Sequence, residues 1–171
     1  MNYKSLTIGL VLLASNGYAQ DKDSTYYSGI RRGDKYISIL IGYNGWTNNF
    51  GEIGIAKNRL DGVGPHPLGR TFFASTEIKL SSSETIVGPK IGAWFGGGAS
   101  LGAIGLSTIY YTDFNQGTWR LRPEIGFGLD RFKLTYGYNI ALTNKDFDKI
   151  NRDNISFVFL LQVKQIKTAG K

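Results

Sequence analysis

Cysteine is absent from the 171 residues, and that absence removes several classes of protein. A small exported domain stapled by disulfides is excluded, and so are cysteine-rich zinc sites. These residues also offer no cysteine to which a lipoprotein-type anchor could be attached. Histidine is nearly as scarce: the one copy, His66, sits between two prolines in the turn-rich stretch GVGPHPLG. A metal site needs several convergent ligands, so the expectation for His66 is a loop residue, and no metal or cofactor is expected. Charged residues make up 19% of the chain, below the ~25% of an average soluble domain. Beyond the N-terminal segment nothing has the ~20 consecutive apolar residues of a membrane-spanning helix.

Glycine is abundant, with 23 copies, and tyrosine and phenylalanine occur 10 times each, a composition that points to many short strands. The first 19 residues have the parts of a cleaved secretory signal: Lys4 in a basic start, an apolar run from Leu6 to Ala14, and a small-x-small site at Gly17-Tyr18-Ala19. Gln20 is then the expected first mature residue of an exported chain. Residues 20–34 read as an exposed polar leader, and residues 35–171 as one domain. Lys and Arg outnumber Asp and Glu by 20 to 13. An exported chain rarely meets nucleic acid, and the charges are dispersed rather than clustered, so a nucleic-acid partner is not expected. Anionic lipid headgroups or lipopolysaccharide phosphates are the positive reading of the excess. A solvated or barrel-internal charge set is the plainer one.

The segment TWRLRPEIGFGLDRFKLTYGYNIAL, 118–142, sets the pattern for the rest. Trp119, Leu121, Pro123, Ile125, Phe127 and Leu129 share one parity, and Arg120, Arg122, Glu124, Gly126 and Gly128 the other. After Asp130-Arg131 the alternation resumes, with Phe132, Leu134, Tyr136, Tyr138, Ile140 and Leu142 against Lys133, Thr135, Gly137, Asn139 and Ala141. Successive strand residues face opposite sides, so each run has one apolar and one polar or small face. A two-residue turn pairing Leu129 with Phe132 sets Phe127 opposite Leu134 and Ile125 opposite Tyr136. The same register sets Gly137 opposite Glu124, Ala141 opposite Arg120 and Gly128 opposite Lys133. Glu124, Arg120 and Lys133 thus each face a small residue, and a one-residue slip would exchange the faces.

Similar runs span Tyr36–Tyr43, Phe50–Lys57, Thr71–Leu80, Ile86–Phe95, Leu101–Tyr111 and Asn154–Lys164. The expected fold is therefore all-β, a single antiparallel up-and-down β-barrel of about eight strands, and no amphipathic helix is predicted. Two placements compete. In a soluble exported barrel or sandwich the Ile, Leu and Phe parity points inward and could enclose an apolar ligand. In a membrane barrel that parity faces lipid and the other parity lines a narrow interior. The second is favoured because Gly, Ala and Ser share the charged parity, which suits a small closed lumen better than a solvent face. Outer-membrane lipid is then the expected surrounding partner, with lipopolysaccharide or another envelope protein as further candidates.

Eight charged residues fall on the interior parity and are expected to form paired networks: Glu52, Glu77, Lys79, Lys90, Arg120, Arg122, Glu124 and Lys133. Unpaired buried charge is costly, so Lys90 is expected near Glu77, and Arg120 and Arg122 near Glu124 or partners on the Leu101–Tyr111 strand. Pro89 and Pro123 fall inside strands, where bulges are expected. The link 58–70 is long. The 143–153 loop, TNKDFDKINRD, lacks the glycine and final glutamate of the twelve-residue calcium loop. Its Phe147 and Ile150 are candidate partner contacts.

The segments IVGPKIGAWFGGG, IYYTDF, LRPEIGFGL and FKLTYGYNIALTNKDFDKINR, across 85–161, resemble a family of small exported β-barrel proteins of Bacteroidetes described as outer-membrane proteins of uncharacterised function. The resemblance implies a barrel fold and an outer-membrane location, and it implies no catalytic residues. No catalytic set is read from the residues either; a lipid-modifying hydrolase would have to take its base, His66, from a loop.

Overall fold

The computed structural model describes residues 33, 35–61, 68–80, 84–97, 101–129 and 131–167. The signal segment, all but Gly33 of the leader, and His66 lie outside the described residues. Among the described residues nine strands follow one another: β1 (Lys35–Gly45), β2 (Asn49–Asp61), β3 (Leu68–Lys79), β4 (Val87–Gly97), β5 (Gly102–Thr112), β6 (Gly117–Gly128), β7 (Phe132–Tyr138), β8 (Ile140–Ala141) and β9 (Asp153–Lys167). Each strand from β1 to β6 pairs antiparallel with the next, β7 pairs with β9, and β9 returns to β1. The result is a closed antiparallel barrel of eight strands with one short extra strand, β8, which continues the line of β7 along β6. Closure leaves no long sheet edge open.

The hairpin register read from the alternation is the one observed. Gly128 pairs with Lys133, Phe127 with Leu134, Ile125 with Tyr136, Glu124 with Gly137 and Arg120 with Ala141. The Leu129 amide donates to Phe132 O at 3.0 Å, and the Leu142 amide to Trp119 O at 2.9 Å.

The prolines behave differently from the bulges expected of them. Beside Pro89 the β4–β5 ladder pairs Val87 with Thr112 and Lys90 with Ile109, so Gly88 and Pro89 are passed over without a change of step. Beside Pro123 the ladder resumes from Glu124–Gly137 to Leu121–Ile140 in the same step. Each missing amide is absorbed by a local loss of pairing. The register shifts lie elsewhere, in the β1–β9 ladder between Lys35 and Tyr36 and between Ile37 and Ser38. The long 58–70 link also shortens, because β2 runs on to Asp61 and β3 starts at Leu68.

Alternation decides inside from outside. Ile39, Ile41, Ile53, Ile55, Phe72 and Ile91 are exposed on the outer face, and Ile55 and Ile91 keep 64% and 65% of their surface. The inner face buries Leu40, Phe73 and Trp94 together with Glu52, Glu77, Lys90, Arg122, Glu124 and Lys133. An inward Ile, Leu and Phe parity, as a ligand-enclosing barrel would have it, is not the arrangement found. The pleat allows one set inside, and the charged set occupies it.

Candidate functional site

The interior is layered. One end is filled by Phe50, Ile86, Ile109, Tyr111, Phe147 and Ile150. A second apolar layer contains Leu40, Ala56, Phe73, Trp94, Val158 and Leu160. The charged residues contributed by β2, β3, β4, β6 and β7 belong to neither layer. Glu52 and Glu77 stand directly opposite each other on β2 and β3, and Lys90 bridges them, its Nζ donating to Glu52 Oε2 at 3.1 Å and to Glu77 Oε1 at 2.9 Å. Arg122 reaches Glu77 with both guanidinium arms, Nη1 to Oε1 at 2.7 Å and Nη2 to Oε2 at 3.1 Å. Lys133 donates to Glu124 at 2.5 Å. Three carboxylates thus face three cations, and all six side chains are essentially excluded from solvent.

Neutral groups satisfy what the ions leave. Ser75 and Asn44 donate to Glu52 at 2.5 and 2.7 Å. Tyr111 donates to Glu77 and accepts from Arg122 Nη2. Arg122 Nε donates to Asn139 Oδ1 at 2.8 Å. Glycines make the room: a Cβ on Gly137 would sit 3.0 Å from Arg122 Cγ and Cδ, and one on Gly105 3.1 Å from Glu124 Oε2. Lys133 also lies over the Trp94 ring, 4.7 Å from its centroid. Buried ions without partners are strongly unfavourable, and the complete pairing removes that cost.

Six of the eight charged residues read from the sequence meet here, and two do not. Lys79 ends β3 half-buried, outside the ion layer. Arg120 donates from Nη2 to the Phe147 carbonyl at 2.8 Å and binds no carboxylate among the described residues. Arg122 finds Tyr111 on the Leu101–Tyr111 strand, as one expected alternative had it, and takes its carboxylate across the lumen from Glu77 rather than from Glu124 beside it on its own strand, because a closed barrel sets β6 within side-chain reach of β3. Tyr111, Asn44, Asn139 and Ser75 complete the network and were not singled out from the sequence. Asn139 lies on the polar parity read there, and Tyr111 and Ser75 fall within the alternating runs Leu101–Tyr111 and Thr71–Leu80, which was the available signal.

The loop between β8 and β9 folds into the barrel end. Phe147 and Ile150 are 2% and 7% exposed, so they are interior plugs, and the partner contacts expected of them are corrected. Closing one end of a narrow barrel requires apolar side chains, and this loop supplies them. Hydrogen bonds hold it to the β1–β2 turn and to β6: Asn151 exchanges two with the Asn48 backbone at 2.7 and 2.6 Å, and Thr118 Oγ1 donates to Thr143 O at 2.5 Å. Lys149 bridges Glu84 and Asp113, 3.1 Å from each. The Gln116 amide, then Lys149, hold the Asp113 carboxyl below the usual aspartate range, and hydrogen bonds to Asp113 and Glu84 raise the Lys149 ammonium. Phe147→Ala should weaken this closure by about 3 kcal/mol, lowering exchange protection of the 142–152 amides by about a hundred-fold. Hydrogen exchange on the folded protein checks it, and unchanged protection would mean the ring does not hold the loop.

Around the outside, tyrosine and tryptophan gather at the end closed by this loop. Tyr43, Trp46, Trp119 and Tyr136 are exposed, and Tyr43 and Tyr136 turn their hydroxyls to Asn49 and Asp153. The opposite end of β1–β3 carries Lys35, Lys57, Arg59, Asp61 and Arg70. Fold and site together define a class: a closed β-barrel, apolar outside, with a neutral, fully paired ion layer inside. Compared with known proteins, the chain matches no family model, no curated protein and no solved structure.

Proposed function

We propose that this chain is a small barrel spanning an outer membrane, with a structural or loop-mediated binding role and without enzymatic activity or a conducting pore. The observation that carries this reading is the inversion of the barrel, with isoleucine, leucine and phenylalanine outside and six paired charges inside. Water around such an outer face would leave a very large apolar surface uncovered, whereas soluble monomers rarely expose apolar patches beyond a few hundred Å². Lipid covers it without penalty. The Tyr and Trp residues at one end, with polar tips and apolar rings, suit a membrane–water boundary. The packed lumen argues against conduction. With Phe147 and Ile150 buried, Trp46 and Phe114 are exposed loop aromatics among the described residues that a partner could reach, 60% and 73% exposed. The likeness of the strand motifs to small barrel proteins of Bacteroidetes belongs to the same reading.

Membrane fractionation tests it. The expressed protein should stay in the outer membrane through carbonate washing and migrate faster on gels when unboiled. Release as a soluble protein would overturn the proposal.

A further inference from the structure

The outer face carries charge at few places, and one of them is organised. Lys35 lies directly opposite Arg59 across the β1–β2 ladder, and Arg59 directly opposite Arg70 across β2–β3. Three cations therefore form one row over three strands. Lys57 stands in the next outward row, between Ile37 and Phe72. Like charges directly opposite one another destabilise a sheet. Asp61, which accepts from Arg59 and from Arg70, is the one carboxylate paired with this group among the described residues. It is held between the two arginines, and neither lysine has a carboxylate partner among the described residues.

The four cations and Phe72 line a pocket of about 220 Å³, roughly seven times the ~30 Å³ that one water occupies in the liquid. The pocket does not stand alone. Lys57 and Phe72 also border a furrow of about 270 Å³ with Ile37, Ile55 and Ala74. Phe72 borders a second furrow, of about 780 Å³, where Ala93 lies low between Ile91, Phe95, Ile104 and Leu106. A cationic pocket thus opens onto two apolar furrows that share the Phe72 ring.

We infer that this is a binding site for one anionic phospholipid, its phosphate held by Lys35, Lys57, Arg59 and Arg70 and its acyl chains laid in the furrows beside Phe72. The inference rests on the membrane reading above and deepens it. Charge complementarity selects the headgroup, because four cations against one engaged carboxylate favour a net negative ligand over a zwitterion. The position fits as well: the pocket lies at one end of the apolar face, where headgroups sit and basic side chains attract anionic lipid. The small residues Ala74 and Ala93 leave the furrows open where larger side chains would level the surface.

The test uses the full chain purified in detergent, with fast unboiled migration established first. Native mass spectrometry then reads the lipid retained during titration with phosphatidylglycerol or phosphatidylcholine. One phosphatidylglycerol per barrel should be retained in preference to phosphatidylcholine. The double variant Lys35→Gln with Lys57→Gln should weaken retention about five-fold per cation removed. Ala93→Phe, which fills a furrow and leaves every charge in place, should weaken it too. Equal retention of the two lipids, or no change in either variant, overturns the site. Displacement by inorganic phosphate at concentrations comparable with the lipid would overturn it in favour of a free-phosphate site. A protein that never shows the folded migration and never enters vesicles fails the membrane reading itself, and this inference falls with it.

Discussion

Arg122→Leu is expected to lower stability by about 3–5 kcal/mol, the usual cost of removing one partner of a buried ion pair. The guanidinium gives Glu77 two hydrogen bonds, at 2.7 and 3.1 Å, and also donates to Asn139 and Tyr111. Without it Glu77 retains Lys90 and Tyr111 in a space closed to water, and the layer holds one negative charge in excess. Urea titration of the fast unboiled gel band reads the loss. Adding Glu77→Gln to the variant should recover part of it, since the excess charge is then gone, and the cycle isolates the coupling. Lys79→Gln, outside the ion layer, should stay within about 0.5 kcal/mol. A loss below about 1 kcal/mol for Arg122→Leu would mean that water or rearranged partners already neutralise Glu77.

The second large effect distinguishes lipid from water around the barrel. Ile55, in the middle of β2, is 64% exposed. In a bilayer, arginine near the midplane costs about 2–4 kcal/mol, falling to about 0–1 kcal/mol near the interface. Ile55→Arg should therefore destabilise the protein by that larger amount in vesicles, and Ile37→Arg, level with Lys57, by much less. In water both are surface changes, worth about 0.5 kcal/mol or less. Equal small effects at the two positions, measured by reversible unfolding from lipid, would sink the membrane assignment.

Alternation made the faces and the β6–β7 register legible before any coordinates, because a period of two leaves little freedom once one face is apolar. Parity gives a face and not a height. It put Lys79 and Arg120 on the interior side correctly, yet only strand tilt and closure decide that Lys79 ends its strand outside the ion layer and that Arg120 reaches the Phe147 carbonyl. Partners across the lumen are equally hidden, since Arg122 and Glu77 are 45 residues apart in the chain. Phe147 and Ile150 lie outside any repeating pattern, so nothing local announced that their loop turns inward. Strand ends were drawn short for a related reason. Asn58 and Asp61 are poor strand formers, and they remain in β2 because neighbouring strands supply their ladder. That extension carried Arg59, Asp61 and Arg70 out of an expected link and onto the wall.

The pairing of β1 with β9 has a consequence for how the molecule is made. The earliest and latest strands of the wall are neighbours, so the contact of longest chain separation is also the one that seals the cylinder. Until it forms, β1 and β9 are bare edges, and the cations and carboxylates of the lumen face an open trough. Such long-range closure slows folding. β9 must therefore be synthesised before the charges can be shut in, and a chain halted before residue 153 would be left as a curled sheet with an unsatisfied seam.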